Sequence, residues 1–417
     1  MSKQPKILII SFTFPPYSGV GGRRWAKFAK YLRKENIPFH VIASKRLEKT
    51  SNWTSDIESY KEHITYVSGG YPLVLTSNPQ SIIEKIKYRL ALFREKYLSI
   101  GNYYDLSKYW KKPLIPCVKE KLEQGFDTVI YTIPPFRGAY FLTELKKEFP
   151  NVQFIADFRD PWTSNRTSFG FDSLNQKNLK YEKEMEKEVV HAFDKVLSVS
   201  KEINDYLIST HQANPDKFYV LKNGFDIDDK AEPDGKSAKI SIAFIGTFYV
   251  KAKHLFDEFV QGISELELEN PSWFDQMEFN FYGHKPIYFD AGMAKTTSIK
   301  HHGMLPLKEA AQQIANAKAC MLFLADDTNY SFSTKFYEYV SNNKPVLLFA
   351  KAGGTSQFVV ENNIGLSFTP GHIKEELSKA LPKVIDGSLS FNSNFDTRAF
   401  ELEQLTKDLL NIITYDS

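Results

Sequence analysis

Short apolar runs, each closed by a turn signal and followed by a stretch with helical spacing, recur along the chain. The first, Lys6–Phe12, runs into Phe14-Pro15-Pro16-Tyr17-Ser18-Gly19-Val20-Gly21-Gly22, after which Trp25, Phe28, Ala29 and Leu32 fall on one helical face. Further runs stand at Phe39–Ala43, Thr128–Thr132, Gln153–Phe158, Lys195–Val199 and Phe218–Leu221. Because these runs are continuous and do not alternate, they suit strands covered on both faces, as in a parallel sheet. A polar stretch, Asp228–Ala238, holds Pro233 and Gly235 and reads as a linker. Beyond it the pattern restarts: Ile240–Ile245 closed by Gly246, a helix from about His254 to Leu266, then Glu278–Tyr282 closed by Gly283. A helix near Leu307–Ala317 leads to a strand at Ala319–Leu324, and a helix from about Thr334 to Val340 leads to one at Val346–Phe349. One last helix is expected over Thr397–Ile413, after the polar stretch Asp386–Asp396.

The pattern predicts an α/β protein of two alternating domains. Its length of 417 residues agrees, being too great for one ordinary core. In sheets of this kind ligands gather at the carboxyl ends of strands, beside helix N-termini. Most of the unusual residue clusters in this sequence lie there.

Composition removes several function classes. A net charge of +3 is too weak a bias to argue for nucleic acid. Two cysteines, Cys117 and Cys320, are too few and too far apart for a disulfide framework or a thiolate metal site. The longest apolar runs, Ile7–Ile10 and Met321–Ala325, fall far short of the ~20 residues that span a bilayer. The start of the chain lacks the apolar stretch and small-residue site of a signal peptide, so a cytoplasmic location is expected, and the sequons at Asn52, Asn165 and Asn329 read as chance matches.

The loop Gly19–Arg24 opens a helix, where glycines admit a ligand to the backbone and Arg23 and Arg24 add positive charge. A dinucleotide fingerprint is only begun there, since Arg24 stands where its last glycine belongs, and the second strand ends without an acidic ribose ligand. Asp157-Phe158-Arg159-Asp160-Pro161-Trp162 closes a buried strand; such charges either pair with one another or act on a ligand, and the neighbouring aromatics suit a sugar ring. Gly246 is followed by Lys251 and Lys253, compact cations able to neutralise a phosphate. Ser331, Ser333 and Thr334 open the helix that carries Lys335 and Glu338, so its free amides can hold a diphosphate and Glu338 can accept from a ribose diol. Asp226-Ile227-Asp228 fits a D-x-D metal pattern, but it runs into the linker, and His284, His301 and His302 lack zinc spacing, so no metal and no cofactor are expected. Residues 81–120 are rich in basic and aromatic side chains, which can rest on an anionic membrane surface or pack as a helix pair with a solvated face.

Taken together, PPYSGVGGRR, DFRDPW, NGFD, FIGTFY and KFYEYVSNNKPV resemble glycosyltransferase family 4 of the GT-B fold, and most closely its bacterial members that build surface polysaccharides such as capsules. The resemblance covers nearly the whole chain. It implies two Rossmann-like domains with mostly parallel sheets facing across a cleft. Residues 1–230 would bind the acceptor, 237–395 the nucleotide-sugar, and a helix at 397–417 would return to the first domain. Gly21, Gly22 and Arg23 would approach the donor phosphates and acceptor, and Asp157, Arg159 and Asp160 would stand beside the anomeric carbon as catalytic residues. Gly246 with Lys251 or Lys253 would form the diphosphate clamp, with Gly283 at the next strand end. Ser333, Thr334 and Lys335 would lie on the phosphates. Gly303 and Leu305 flank the segment whose backbone reads the base. Glu338 matches the second glutamate of an E-x7-E element, with Tyr330 at the place of the first.

The activity so implied is metal-independent, retaining transfer of a sugar from a UDP- or GDP-sugar to a saccharide or lipid-linked acceptor, in the cytoplasm or at the inner face of the cell membrane. A nucleotide-sugar epimerase and a non-catalytic nucleotide-sugar-binding protein are the alternatives. Only the transferase needs an acceptor to consume its donor.

Overall fold

A computed structural model describes residues 4–17, 20–45, 52–76, 79–164, 170–235, 239–286, 288–326 and 332–415. The chain divides into two compact units, Met1–Lys222 with Leu405–Ser417, and Asn223–Gln404.

Among the described residues of the first unit, seven parallel strands make one sheet: β1 Ile7–Ser11, β2 Phe39–Lys45, β3 Ile64–Ser68, β4 Thr128–Ile133, β5 Gln153–Phe158, β6 Lys195–Ser198 and β7 Phe218–Val220. Their order is β3-β2-β1-β4-β5-β6-β7, so the order reverses between β1 and β4. Every residue of β1 and β4 is buried, which is why those runs are mostly apolar. The register places Thr132 of β4 opposite Asp157 of β5, so polar side chains meet at the carboxyl end of the sheet.

The second unit repeats the plan with six described strands, β8 Ile240–Ile245, β9 Met277–Tyr282, β10 Ile299–Gly303, β11 Ala319–Phe323, β12 Val346–Phe349 and β13 Gly365–Phe368, in the order β10-β9-β8-β11-β12-β13. Phenylalanine dominates one face of its core. Phe256 stacks on Phe289 at 4.1 Å between centroids, and Phe323, Phe349 and Phe368 form a stacked row on neighbouring strands. Aromatic pairs of this kind add about 0.5–1.5 kcal/mol each beyond the area they bury.

The two ends of this second unit are fastened side by side. Phe225 N–H donates to Phe400 O, and Leu402 N–H donates to Phe225 O, both at 2.9 Å. That pairing corrects the expected single helix over Thr397–Ile413. A 3₁₀ turn at Thr397–Phe400 is capped by Asp396, Glu401 is extended to pair with Phe225, and the helix proper is Leu402–Thr414. Its end belongs to the first unit, where Lys195 Nζ donates to the carbonyls of Ile412 and Tyr415, both at 2.5 Å.

Three strands carry no apolar run that would announce them, and all three are sheet edges. β3 is half-buried except for exposed Ser68, β10 carries Lys300, His301 and His302 in a row after Ile299, and β13 begins on Gly365, where a Cβ would lie 2.0 Å from Val346 O. Between β3 and β4, the helices Ile82–Tyr97 and Lys111–Glu123 form the basic, aromatic stretch.

Candidate functional site

The carboxyl end of the first sheet is crowded with charge, and nearly all of it is engaged internally. The helix Val20–Lys34 begins against β1, and its first turn is packed too tightly for side chains. A Cβ on Gly22 would lie 2.0 Å from Thr13 O, and one on Gly21 only 1.5 Å from Arg159 Nη1. Gly22 is therefore demanded by contact with backbone, whereas at Gly21 the neighbour is the flexible end of the Arg159 side chain. Gly19, Ser331 and Tyr330 lie outside the described residues.

Asp157 is fully buried; its Oδ2 accepts from Trp25 Nε1 at 2.7 Å, and its Oδ1 faces Arg24 Nη2 at 3.6 Å. Arg24 in turn donates to the carbonyls of Lys222 at 2.6 Å and Leu221 at 2.8 Å, tying the helix to the end of β7. Arg23 pairs with Asp56 at 2.9 Å, and the same carboxylate holds Lys27 at 2.9 Å. The Arg159 guanidinium donates to Thr132 Oγ1 at 2.8 Å and Pro134 O at 2.6 Å. Arg159 and Asp160 are both half-buried. Asp157 and Arg159, two positions apart, are engaged by different partners; Thr132, which holds Arg159, and Asp56, which holds Arg23, gave no signal in the sequence, being distant in the chain.

Trp162 is not open to a sugar ring. It is fully buried, stacks on Phe136 at 5.3 Å and donates through Nε1 to Glu182 at 2.9 Å. Burial pushes the Glu182 carboxyl up, while Arg137, 3.1 Å away, pulls it down. The helix that follows β4, Arg137–Glu148, would offer its first amides to an anion, but Asp105 already fills that place. Its Oδ2 accepts from Phe136 N–H at 2.9 Å and Arg137 N–H at 3.0 Å.

The second sheet ends differently. Gly246 N–H donates to Tyr282 O at 2.7 Å and Gly283 N–H to Gly303 O at 2.8 Å, so β8, β9 and β10 finish flush with one another. Gly246 (φ +108°) and Gly283 (φ +145°) hold backbone conformations that side chains rarely adopt. A Cβ on Gly283 would also lie 2.1 Å from Gly246 O. Facing this turn is Lys335, whose Cε would be 2.7 Å from a Cβ on Gly246. Its Nζ donates to Thr247 O at 2.6 Å and lies 4.4 Å above the Phe244 ring. Burial pushes the Lys335 ammonium down to about 8, against the pull of Glu338 one turn on.

Lys335 opens the helix Thr334–Ser341, fixed to β8 by Ile245 N–H donating to Tyr339 Oη at 3.1 Å. Ser333 occupies the capping position with an extended backbone, yet its side chain makes no capping bond and its buried Oγ has no partner among the described residues. Thr334 and Glu338 are half-buried. The structure thus brings Gly246, Gly283, Gly303, Ser333, Thr334, Lys335 and Glu338 to the end of one sheet. Of the other two lysines, Lys253 forms an ion pair with Asp257 on its own helix, and Lys251 is exposed. Gly303 and Leu305 are half-buried, with Met304 exposed between them. His301 Nε2 lies 3.0 Å from Gly283 O, and His302 stacks on Tyr282, so these rings brace the strand ends.

Among the described residues, no three His, Cys, Asp or Glu side chains gather as a metal site. Asp226 of the D-x-D pattern is buried and accepts from Asp228 N–H at 3.2 Å, capping a 3₁₀ turn.

No family model matches the sequence, and no curated protein matches it. Solved structures do. Sucrose-phosphate synthase from Thermosynechococcus elongatus superposes with a TM-score of 0.69 at 12% identity, over 99% of this chain and 98% of that one. The Anabaena protein HepE in complex with UDP gives a TM-score of 0.65 at 14% identity, over 98% of this chain and 99% of that one. WaaG, a glycosyltransferase involved in lipopolysaccharide biosynthesis, gives 0.59 at 12% identity, over 98% of this chain and 100% of that one. The fold is GT-B. At such low identity the GT-B likeness speaks for architecture, and the chemistry must be argued from the residues.

Proposed function

We propose that this chain is a retaining, metal-independent glycosyltransferase of the family 4 type, moving a sugar from a UDP- or GDP-sugar to a hydroxyl of a saccharide or lipid-linked acceptor in surface polysaccharide synthesis. One observation carries the reading: at the end of the second sheet, Lys335 lies against the Gly246 turn beside a helix N-terminus whose capping serine leaves its hydroxyl unpartnered. A cation, glycine backbone and uncapped amides converging on one spot suit the diphosphate of a nucleotide-sugar. The GT-B likeness, which includes a protein in complex with UDP, supports the same reading.

In this scheme the second unit holds the donor. Ser333, Thr334 and Lys335 take the phosphates, Glu338 accepts from the ribose diol, and the backbone from Gly303 to Leu305 reads the base. Lys251, exposed on the turn that follows Gly246, is the second cation assigned to the phosphates. As transfer proceeds, the bond between the anomeric carbon and the phosphate oxygen breaks and one to the acceptor oxygen forms on the same face. The acceptor proton passes to the departing diphosphate oxygen. Charge builds on that diphosphate, so fixed positive groups lower the barrier more than they tighten the ground state. The first unit supplies the acceptor side, with Arg159 and Asp160 as its half-buried charged pair. Asp157 acts there as a positioning residue, fixing Arg24 and Trp25 and with them the glycine turn against Arg159.

The test is donor turnover. Consumption of a UDP- or GDP-sugar should require a saccharide or lipid-linked acceptor, and the anomeric configuration of the product should match that of the donor. Consumption without acceptor, or binding without any turnover, would defeat the assignment. A thermal-shift panel of UDP, GDP and dTDP identifies the base, because a bound nucleotide raises the melting temperature in step with its affinity.

A further inference from the structure

The helix Ile82–Tyr97 is packed the wrong way round for a soluble surface helix. Its protein-facing side carries Glu95, which is buried and held by Lys108 at 2.9 Å and Tyr109 at 2.7 Å. Tyr88, Ala91 and Leu92 on the same side are only half-buried. The large apolar side chains point outward. Ile82, Ile83, Ile86, Leu90, Phe93 and Tyr97 are all exposed, from 54% at Ile86 to 77% at Ile82. At ~100° per residue these six fall within an arc of about 100°, a single continuous stripe. Just beyond the helix, Leu98 and Ile100 extend it and are exposed as well.

Charge is distributed around that stripe in a telling way. On a helical projection Lys87 and Arg94 flank one edge and Lys85, Arg89 and Lys96 the other, all five exposed. The helix's two acids, Glu84 and Glu95, lie on the side away from the stripe, Glu84 closing the helix start by accepting from the N–H groups of Gln80 and Ser81. No helix among the described residues is long and apolar enough to cross a bilayer. An apolar stripe with cations along both margins instead matches the boundary between the headgroups and acyl chains of an anionic membrane.

We infer that this helix lies in the surface of an anionic lipid bilayer, its apolar stripe among the acyl chains and its flanking lysines and arginines on the headgroup phosphates. A second copy of the chain is a poorer occupant. A two-fold contact would set each stripe and its basic margins against the same margins of its partner, with no acid of the helix there to answer them. The inference concerns a surface apart from the proposed donor site and stands whether or not the chain transfers sugars.

The test is flotation of the full chain with vesicles of phosphatidylcholine alone and of phosphatidylcholine with phosphatidylglycerol. Binding is expected to the anionic vesicles, to weaken with added salt, and to drop at least about tenfold in the double variant Ile86→Glu/Leu90→Glu. Reversing Lys85→Glu and Arg89→Glu should abolish the preference for anionic lipid. Both variants change exposed positions, so their circular dichroism should match that of the wild type. No binding to anionic vesicles would overturn the inference, as would equal binding to neutral ones, or a dimer in sedimentation that the Ile86→Glu/Leu90→Glu variant dissolves.

Discussion

The two sheets end in similar clusters of glycine and positive charge, yet they use that charge in opposite ways. In the first unit every arginine discussed has a protein partner: Arg23 has Asp56, Arg24 has Asp157 and two carbonyls, Arg137 has Glu182, and Arg159 has Thr132 and Pro134. Even the helix N-terminus after β4 is filled by Asp105. In the second unit, Lys335 is held by a neutral carbonyl and an aromatic face, and Ser333, two positions earlier, has no partner for its hydroxyl among the described residues. Satisfied charge is scaffold. The Lys335 ammonium, bonded to a carbonyl with Glu338 a turn away, can take up an anion, because a phosphate would bring a countercharge in direct contact.

The sharpest way to break this contrast is Asp157→Ala. Removing the carboxylate strands buried Arg24 and the Trp25 N–H, so a loss of about 3–5 kcal/mol in urea-denaturation stability is expected. Asp157→Asn, which can still accept from Trp25, should lose less. If Asp157→Ala kept full stability and lost only turnover, the first-unit cluster would be catalytic and the contrast would fail.

Next in size is Lys335→Met, which keeps the stem and removes the charge. Titration calorimetry with UDP or GDP should show affinity lower by roughly ten- to a hundredfold, with little change in stability. A smaller effect follows from pH. Below about 8 the Lys335 ammonium is charged, and above it progressively neutral. Nucleotide affinity should therefore be level below that pH and fall by up to about tenfold per unit above it, and binding near pH 8 should take up a proton. An affinity that rose with pH would contradict this. Smallest of all is Lys253→Ala. Its exposed pair with Asp257 should contribute no more than about 0.5 kcal/mol, and nucleotide affinity should stay close to the wild-type value.

Central strands were legible because burial on both faces favours a mostly apolar run, as in β1 and β4. Edge strands were not, since β10 buries only Ile299 and can carry Lys300, His301 and His302 in a row. At the candidate site the glycines and Lys335 stood out, because strand ends in such a sheet must meet whatever binds there. Which cations are answered internally did not. Asp56 reaches Arg23 across 33 positions and Asp105 reaches the Arg137 helix across 32, and no local pattern encodes either meeting. Trp162 misled for a related reason: a tryptophan beside acids suits a sugar, but here its N–H serves a buried glutamate.

The paired backbone at Phe225 and Leu402 has a practical corollary. Because entry to and exit from the second unit are stitched together, that segment is a cassette spliced into its host at one point. Segment 223–404 could be excised as a single piece, or traded for the equivalent piece of another chain of this fold, while the rest of the chain closes over a short bridge.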